Sequence, residues 1–206
     1  MLRLFAILAV LAAPMAAQWY PRHNFSFGVG GAQPKDDLAG VFRNRPGISV
    51  NYGYRFMRNF QLDGGVDAVF GAGGVRDYQD TPFGLLRIKD YQFFVPMGGR
   101  AILPVADGRL LLFGGGGFAW MKYTEMLRQP SDYYRFECPT CTSRSGWGNY
   151  AVAGVSYFLD RSKLFRIGVN TKVYRGHTDG EPIAGVPGVE TRDRWINVYG
   201  EFGISF

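Results

Sequence analysis

The sequence predicts an all-β fold, an eight-stranded antiparallel up-and-down transmembrane β-barrel. Three observations favour this fold. Apolar residues recur at every second position in eight segments, the connections between segments are alternately short and long, and the chain ends in a strand-like segment that closes on Phe206. Because successive side chains of a strand point to opposite faces, each segment has one apolar face and one mixed polar face.

Each segment has about the nine to eleven residues that a tilted strand needs to cross a membrane. In chain order the segments cover residues 24–33, 47–57, 60–72, 88–103, 109–121, 147–159, 164–174 and 196–206. The first four alternate clearly. Their apolar faces consist, in order, of Phe25, Phe27 and Val29; Ile48, Val50, Tyr52, Tyr54 and Phe56; Phe60, Leu62, Val66, Ala68 and Phe70; and Tyr91, Phe93, Val95, Met97, Ala101 and Leu103.

The later four segments are less even. In the fifth, Leu111 and Phe113 on the second face blur the alternation, and residues 114–117 are all glycine. That run lacks the Lys-Ser/Thr of a phosphate-binding loop, so it indicates close strand packing or a kink. The apolar faces of these four are Leu110, Leu112, Phe118 and Trp120; Trp147, Ala151, Ala153, Val155, Tyr157 and Leu159; Phe165, Ile167, Val169, Thr171 and Val173; and Ile196, Val198, Gly200, Phe202, Ile204 and Phe206.

The connections predict how the strands are joined. The tight turns are residues 57–59, 104–108 and 160–163, and the long loops are residues 34–45, 73–87, 122–146 and 176–193. Short turns on one rim and long loops on the other are typical of transmembrane barrels, with the short turns on the periplasmic side. An even number of strands then places both termini on that side.

The polar faces distinguish a membrane barrel from a soluble, lipocalin-like one, which would bury its apolar face inside. They carry four bases and four acids, far too much charge for a lipocalin interior but suitable for a membrane barrel's lumen. These residues are Arg55, Asp63, Asp67, Asp90, Arg100, Arg166, Lys172 and Glu201. In so narrow a barrel, equal counts predict a closed interior bridged by ion pairs. We expect Arg55 and Asp63 to face each other beside the turn between their strands.

The first seventeen residues resemble a cleaved secretory signal peptide, which leaves residues 18–206 as the barrel. Arg3 supplies a positive charge, residues 4–13 form an apolar run and Pro14 breaks it. Residues 15–17 are Met-Ala-Ala, which offers small residues before the cleavage site. A transmembrane helix is the alternative, but ten apolar residues span only about 15 Å, roughly half of a bilayer core.

The two cysteines, Cys138 and Cys141, lie in the third long loop. In an exported protein this spacing favours a small disulfide that closes part of the loop. A redox motif of the thioredoxin type would begin a helix after a strand, which this polar stretch does not. A zinc site needs about four ligands, and His23 and His177 are distant in sequence. We therefore expect neither a metal nor a cofactor.

Nucleic-acid binding and catalysis have weak support. The net charge is +6, but the basic residues are scattered over strands, turns and loops rather than clustered on one face. His177 with Asp179 or Glu181 can be drawn as a general base and its orienting acid, with Thr178 or Ser156 as nucleophile. A loop histidine beside acids is more often simply solvated.

The segment pattern of residues 18–206 and the terminal Ile204-Ser205-Phe206 resemble the small bacterial outer-membrane β-barrel group. That group includes the transmembrane domain of OmpA-type proteins, OmpX-like and OmpW-like proteins and opacity-type surface antigens. The resemblance implies an integral outer-membrane protein whose last strand, through Phe202, Ile204 and Phe206, is read by the barrel-assembly machinery. The group also contains lipid A deacylases with a His followed two residues later by Ser. Here Asp179 holds that second position.

Residues near the strand ends indicate the membrane interfaces. Four aromatic residues fall there on the apolar faces, as interfacial aromatic residues do: Tyr91, Trp120, Trp147 and Tyr157. Basic residues at the outer rim are Arg87, Lys122 and Arg175. We expect these cations to be attracted to anionic lipid headgroups or lipopolysaccharide phosphates; ordinary solubilising charge is the alternative.

Three functions follow, in decreasing order of support. The first is a structural or surface-interaction role displayed on four extracellular loops, with Tyr133, Tyr134 and Phe136 of the third loop as contact candidates for an extracellular ligand. The second is a narrow channel for small or hydrophobic solutes, as in OmpW-like proteins. The third is a lipid A modifying enzyme.

Overall fold

The computed structural model describes residues 20–40, 42–71, 78–81, 84–127, 141, 143–180 and 190–206. The predicted signal peptide, residues 1–17, lies outside them. The strands are β1 His23–Lys35, β2 Arg45–Met57, β3 Phe60–Phe70, β4 Tyr78–Thr81, β5 Gly84–Val105, β6 Leu110–Leu127, β7 Ser143–Phe158, β8 Phe165–Gly180 and β9 Glu190–Ser205. Two short 3-10 turns accompany them, Asp36–Gly40 and Ala106–Gly108.

Eight of these strands form a closed antiparallel barrel, which confirms the predicted fold class. The hydrogen-bonded order is β3-β2-β1-β9-β8-β7-β6-β5, and pairing of β3 with β5 closes the ring. The first and last strands therefore lie side by side, with Phe27 opposite Phe202. The short strand β4 pairs only with the start of β5 and forms a hairpin above the barrel.

The outward faces carry the apolar residues that the alternation predicts. Phe118 is 67% exposed, Leu62 57% and Val29 57%. In water so large an apolar surface would favour association, whereas in a bilayer it is the surface that contacts lipid. The opposite face of each strand points into the lumen, where most polar side chains are buried. In the described part of the chain no helix is long and apolar enough to cross a membrane.

The strands extend further toward the long loops than the sequence predicts. β5 has 22 residues and β6 has 18, and β8 continues to Gly180 rather than ending at residue 174. Beyond the apolar band both faces of these strands carry polar residues, so the alternation is lost although the hydrogen-bond ladder continues. The observed barrel wall therefore rises above the lipid-facing band on the loop side.

The short periplasmic turn between β7 and β8 is held by side-chain hydrogen bonds. Asp160, between β7 and β8, accepts hydrogen bonds from the backbone N–H groups of Leu164 at 3.0 Å and Phe165 at 2.8 Å and from the hydroxyl of Ser162. These three donors hold the pKa of this exposed carboxyl low, at about 2, with the Ser162 hydroxyl the largest contribution. Lys163 in the same turn has a φ of 60°, a left-handed conformation.

Candidate functional site in the barrel lumen

A cluster of polar side chains joins opposite walls of the barrel. Lys172 lies on β8 and Asp67 on β3, four strands apart around the ring in either direction. Lys172 Nζ lies 2.7 Å from Asp67 Oδ1, 2.7 Å from Asn51 Oδ1 and 3.1 Å from Ser49 Oγ. An ammonium group has three N–H donors, and here each one has an acceptor.

The acceptors of this cluster are themselves held in place. Tyr174 donates its hydroxyl to Asp67 Oδ2 at 2.7 Å, and Ser49 donates to Asp67 Oδ1 at 2.7 Å. Lys172 and Asp67 have side chains only 2% and 0% exposed, and the Tyr199 ring lies 5.7 Å from Lys172 Nζ. We call Ser49, Asn51, Asp67, Lys172 and Tyr174 the polar node. It ties β2 and β3 to the opposite strand β8.

A second ion pair forms between neighbouring strands and contradicts one expectation. Arg100 Nε on β5 lies 2.5 Å from Asp63 Oδ2 on β3. The expected pairing of Arg55 with Asp63 was therefore wrong. Gly53 stands opposite Asp63, so Arg55 lies two residues further along β2, nearer the periplasmic end. Its guanidinium lies 5.6 Å from the Tyr20 ring, and its Nε and Nη2 have no hydrogen-bond partner among the described residues.

The other predicted lumen charges also lie on inward-facing positions. Arg166 is buried on β8 opposite Gly203, and Asp90 is buried near the outer end of β5. Glu201 is half-buried and accepts a hydrogen bond from Asn51 Nδ2 at 3.3 Å. Among the described residues, only four of the eight predicted charges pair with one another, as Asp63–Arg100 and Asp67–Lys172. The charges thus form separate groups at different heights rather than one network.

Above the polar node the lumen is filled by aromatic side chains, a layer that the sequence pattern did not predict. Trp195 Nε1 on β9 donates to Tyr123 Oη on β6 at 2.9 Å, and Phe94 on β5 stacks on Tyr174 with ring centroids 4.6 Å apart. Phe94, Tyr123 and Trp195 are each at most 3% exposed. Alternation along the strands places all three on the inward face. Residues 123 and 195, however, fall just outside the predicted segments.

The first long loop folds inward and completes this layer. Leu38 and Phe42 are 2% and 7% exposed, and the Phe42 ring lies 5.9 Å from that of Trp195. We call Phe42, Phe94, Tyr123 and Trp195 the aromatic layer. The guanidinium of Arg144 covers it, 4.6 Å from the Tyr123 ring.

His177 and Asp179 share the exposed outer face of β8, but the candidate nucleophiles are not brought to them. His177 is exposed on the outer face of β8, whereas Thr178 is buried and donates to Asp193 Oδ2 at 2.6 Å. Ser156 points into the lumen opposite Gly168, nine residues from His177 along β8 and therefore about 30 Å away. Glu181 lies outside the described residues. Within the described ranges no group of three or more His, Cys, Asp or Glu side chains could hold a metal ion.

Several predicted residues lie in the third loop, outside the described residues: Cys138, Tyr133, Tyr134 and Phe136. Cys141 is described, and no cysteine in the described ranges is a free thiol. The pairing of Cys141 with Cys138 stays a prediction, as do the contact roles of the three aromatic residues.

The terminal strand closes the barrel against β1. Backbone hydrogen bonds join His23 and Phe206 in both directions, at 2.7 and 2.8 Å. Phe202, Ile204 and Phe206 have outward parity, and the Phe202 ring stacks on that of Phe165 at 6.1 Å. Their role as an assembly signal stays a prediction.

A closed eight-stranded barrel with an apolar outer face and a polar, charged lumen defines the class of outer-membrane β-barrel proteins. The family described as outer membrane protein beta-barrel domain matches residues 4–182, and the chain belongs to this family. It is an integral protein of the bacterial outer membrane. The comparison with curated protein sequences gave no match.

Solved structures show the same fold at low sequence identity. Neisserial surface protein A has a TM-score of 0.55 at 11% identity, covering 89% of this chain and 97% of that one. OprG of Pseudomonas aeruginosa has a TM-score of 0.54 at 15% identity, covering 91% and 97%. Ail, the attachment invasion locus protein of Yersinia pestis, has a TM-score of 0.50 at 15% identity, covering 90% and 100%. At these identities the likeness concerns the fold alone.

Proposed function

We propose that the protein is a closed, non-conducting barrel with a structural or surface-interaction role carried by its four long extracellular loops. The observation that carries this proposal is the polar node. Lys172 and Asp67 reach across the lumen from opposite walls and bond at its centre, 2.7 Å apart. A solute that crossed the barrel would have to separate them.

The energetic cost of opening supports a closed lumen. Removing one partner of a buried ion pair typically costs about 3–5 kcal/mol, because the remaining charge is left unpaired. The aromatic layer lies in series with the node, at its outer side. An ion that passed the node would also have to cross a constriction of buried rings, which holds water poorly. The two layers oppose ions for different reasons.

A narrow channel for hydrophobic solutes is the second candidate. The observation that favours it is the aromatic layer itself, since apolar rings at the outer mouth suit an apolar solute. The polar node below it would stop such a solute.

Planar-bilayer recording on the refolded barrel tests the closed lumen. We expect no stable current steps. Folded protein is identified by its shifted gel mobility before heating, and a known porin verifies the assay. Stable steps from the folded, unchanged barrel would contradict the proposal and favour the channel.

The surface-interaction role needs a ligand, and one structural neighbour suggests the first probe. A second structure of Ail is described in complex with the heparin analogue sucrose octasulfate, with a TM-score of 0.51 at 15% identity to this chain. That binding belongs to Ail. A sulfated polysaccharide is nevertheless a reasonable probe for a barrel of the same fold with aromatic residues in its longest loop.

The loop experiment compares cells that display the protein for retention on immobilised heparin. We expect retention to fall at least several-fold when Tyr133, Tyr134 and Phe136 are all replaced by Ser. The matched control replaces three apolar residues of the fourth loop, Ile183, Val186 and Val189, by Ser and is expected to bind as before. Equal retention of all three cell types, at equal surface amounts, would remove heparin-like ligands from the proposal.

A further inference from the structure

Three basic side chains form a line on the outer wall of the barrel near the extracellular end. Arg175 on β8 stands directly opposite Arg194 on β9, and Arg194 stands directly opposite Lys35 on β1. All three have outward parity, and adjacent strands are about 4.8 Å apart. The three cations therefore lie side by side on one face.

A second tier lies one step further toward the loops. There His177 on β8 stands opposite Arg192 on β9, and both are exposed. A surface cleft of about 550 Å³ runs along this wall, and its lining includes Trp147, His177 and Arg192. We call Lys35, Arg175, Arg192 and Arg194 the cationic patch.

The patch has more positive than negative charge. Like charges directly opposite each other on a sheet are destabilising. Among the described residues, the only ion pair of the patch joins Arg194 to the exposed Asp36, at 3.7 Å. Asp193 of the same strand points inward and accepts hydrogen bonds from Thr178 and Thr191 instead. The Nε of Arg194 is buried and has no hydrogen-bond partner in the described ranges. Among the described residues, one of the four cations of the patch is therefore ion-paired.

The height of the patch indicates what supplies the missing negative charge. Immediately toward the membrane, the same face of β8 and β9 presents Val173 opposite Ile196, which belong to the apolar band. Trp147, 60% exposed, flanks the cleft, and Trp residues concentrate at membrane interfaces. The patch therefore lies at the headgroup level on the side of the long loops, which is the outer leaflet.

We propose that the cationic patch binds the phosphate groups of lipid A, the anchor of the lipopolysaccharide that forms the outer leaflet. The facing guanidinium groups of Arg175 and Arg194 can hold one phosphate between them through paired N–H donors. Lys35 and Arg192 flank this pair. The acyl chains would then lie against Val173 and Ile196. This site depends on the position of the protein in the outer membrane and not on whether its lumen is closed.

The experiment measures the affinity of the purified, folded barrel for bisphosphorylated lipid A in neutral detergent, by native mass spectrometry. Each surface cation contributes about 1 kcal/mol toward an anionic membrane, so loss of two is expected to weaken binding roughly 30-fold. The test variant is Arg175→Gln/Arg194→Gln. The matched control, Arg22→Gln/Arg161→Gln, removes two exposed cations at the periplasmic end and is expected to bind as the unchanged protein does.

Three further ligands identify the source of the bound group. Dephosphorylated lipid A is expected to bind weakly and equally to all variants. Inorganic phosphate alone is expected to compete only weakly, because it lacks the acyl chains. The binding of phosphatidylglycerol is expected to depend less on the patch, because this lipid carries one phosphate.

Three results would each overturn the proposal. They are unchanged lipid A affinity in the Arg175→Gln/Arg194→Gln variant, an equal loss in the periplasmic control, and binding of dephosphorylated lipid A as tight as that of the phosphorylated form. If phosphatidylglycerol binds as tightly and depends equally on the patch, lipid A is not the specific partner. Should the double variant fail to fold, Arg192→Gln alone is expected to lose about 5-fold.

Discussion

The lower and upper parts of the lumen are closed by different kinds of contact. The polar node joins β8 to the facing strands β2 and β3 through directional hydrogen bonds and one ion pair. The aromatic layer joins β5, β6, β9 and the first loop chiefly through ring packing, to which the hydrogen bond from Trp195 to Tyr123 adds. Both connect distant walls, yet one depends on charge complementarity and the other on shape.

This difference predicts opposite responses to substitution. A polar node fails when one partner is removed, because a buried charge remains, but it tolerates removal of both partners. An aromatic layer responds to the volume that is lost, whichever ring is shortened. The comparison can therefore be tested with single and double variants of the same barrel.

The largest effect is expected from Lys172→Met. It leaves Asp67 buried and unpaired, so we expect the free energy of unfolding to fall by about 3–5 kcal/mol, measured by urea titration in a lipid bilayer. Adding Asp67→Leu should recover most of the loss. If Lys172→Met/Asp67→Leu is as unstable as Lys172→Met alone, the node is not held by charge pairing.

A slightly smaller loss, about 3 kcal/mol, is expected from Trp195→Ala, because a fully buried ring is replaced by a cavity. Trp195→Phe retains most of the volume and removes the hydrogen bond to Tyr123, so its loss should be about 1 kcal/mol. The same urea titration compares the two. Equal losses would show that the hydrogen bond, rather than packing, holds this layer.

Arg55→Met sharpens the contrast between buried cations. Unlike Lys172, Arg55 has two guanidinium nitrogens without hydrogen-bond partners among the described residues. Replacing it with an apolar side chain of similar length is expected to change the unfolding free energy by less than about 1 kcal/mol, in either direction. A loss as large as that of Lys172→Met would reveal a partner for Arg55 and contradict the distinction.

The smallest effect concerns a turn outside both layers. The pKa of Asp160 is lowered from 3.8 to about 2, so this carboxylate stabilises the fold above pH 3.8, and its contribution is lost as the pH falls through about 2. In unfolding titrations between pH 2 and 6, the advantage of the unchanged protein over Asp160→Asn should shrink below pH 4. A difference that stays constant over this range would mean that the turn does not depend on the carboxylate.

Particular residues show how far the sequence predicts the lumen. The inward parity of Lys172, Asp67 and Glu201 follows from alternation alone, because the side-chain period of a strand is two. Alternation does not give the height of a residue relative to residues on other strands. Arg55 and Asp63 therefore looked like partners beside one turn, whereas the register places Gly53 opposite Asp63 and Arg55 two residues further along β2.

The upper lumen was harder to predict for a related reason. Leu38 and Phe42 belong to a long loop without alternation of apolar and polar residues. Their burial depends on the cavity that the strands enclose. Alternation gives Tyr123 and Trp195 inward parity. The residues that flank them are polar on both faces, however, so the predicted strands stop short of both. The predicted contact residues of the third loop remain predictions.

By itself the sequence determined the eight membrane-crossing strands, the face of each that meets lipid and the ring that Phe206 helps to close, because these follow from local alternation and connection length. Only the tertiary structure decided which charges meet. Lys172 and Asp67 are 105 residues apart in sequence, and closure of the barrel brings them to the same height on facing walls. It likewise set Arg175, Arg194 and Lys35 side by side, since register between strands is a property of the whole ring.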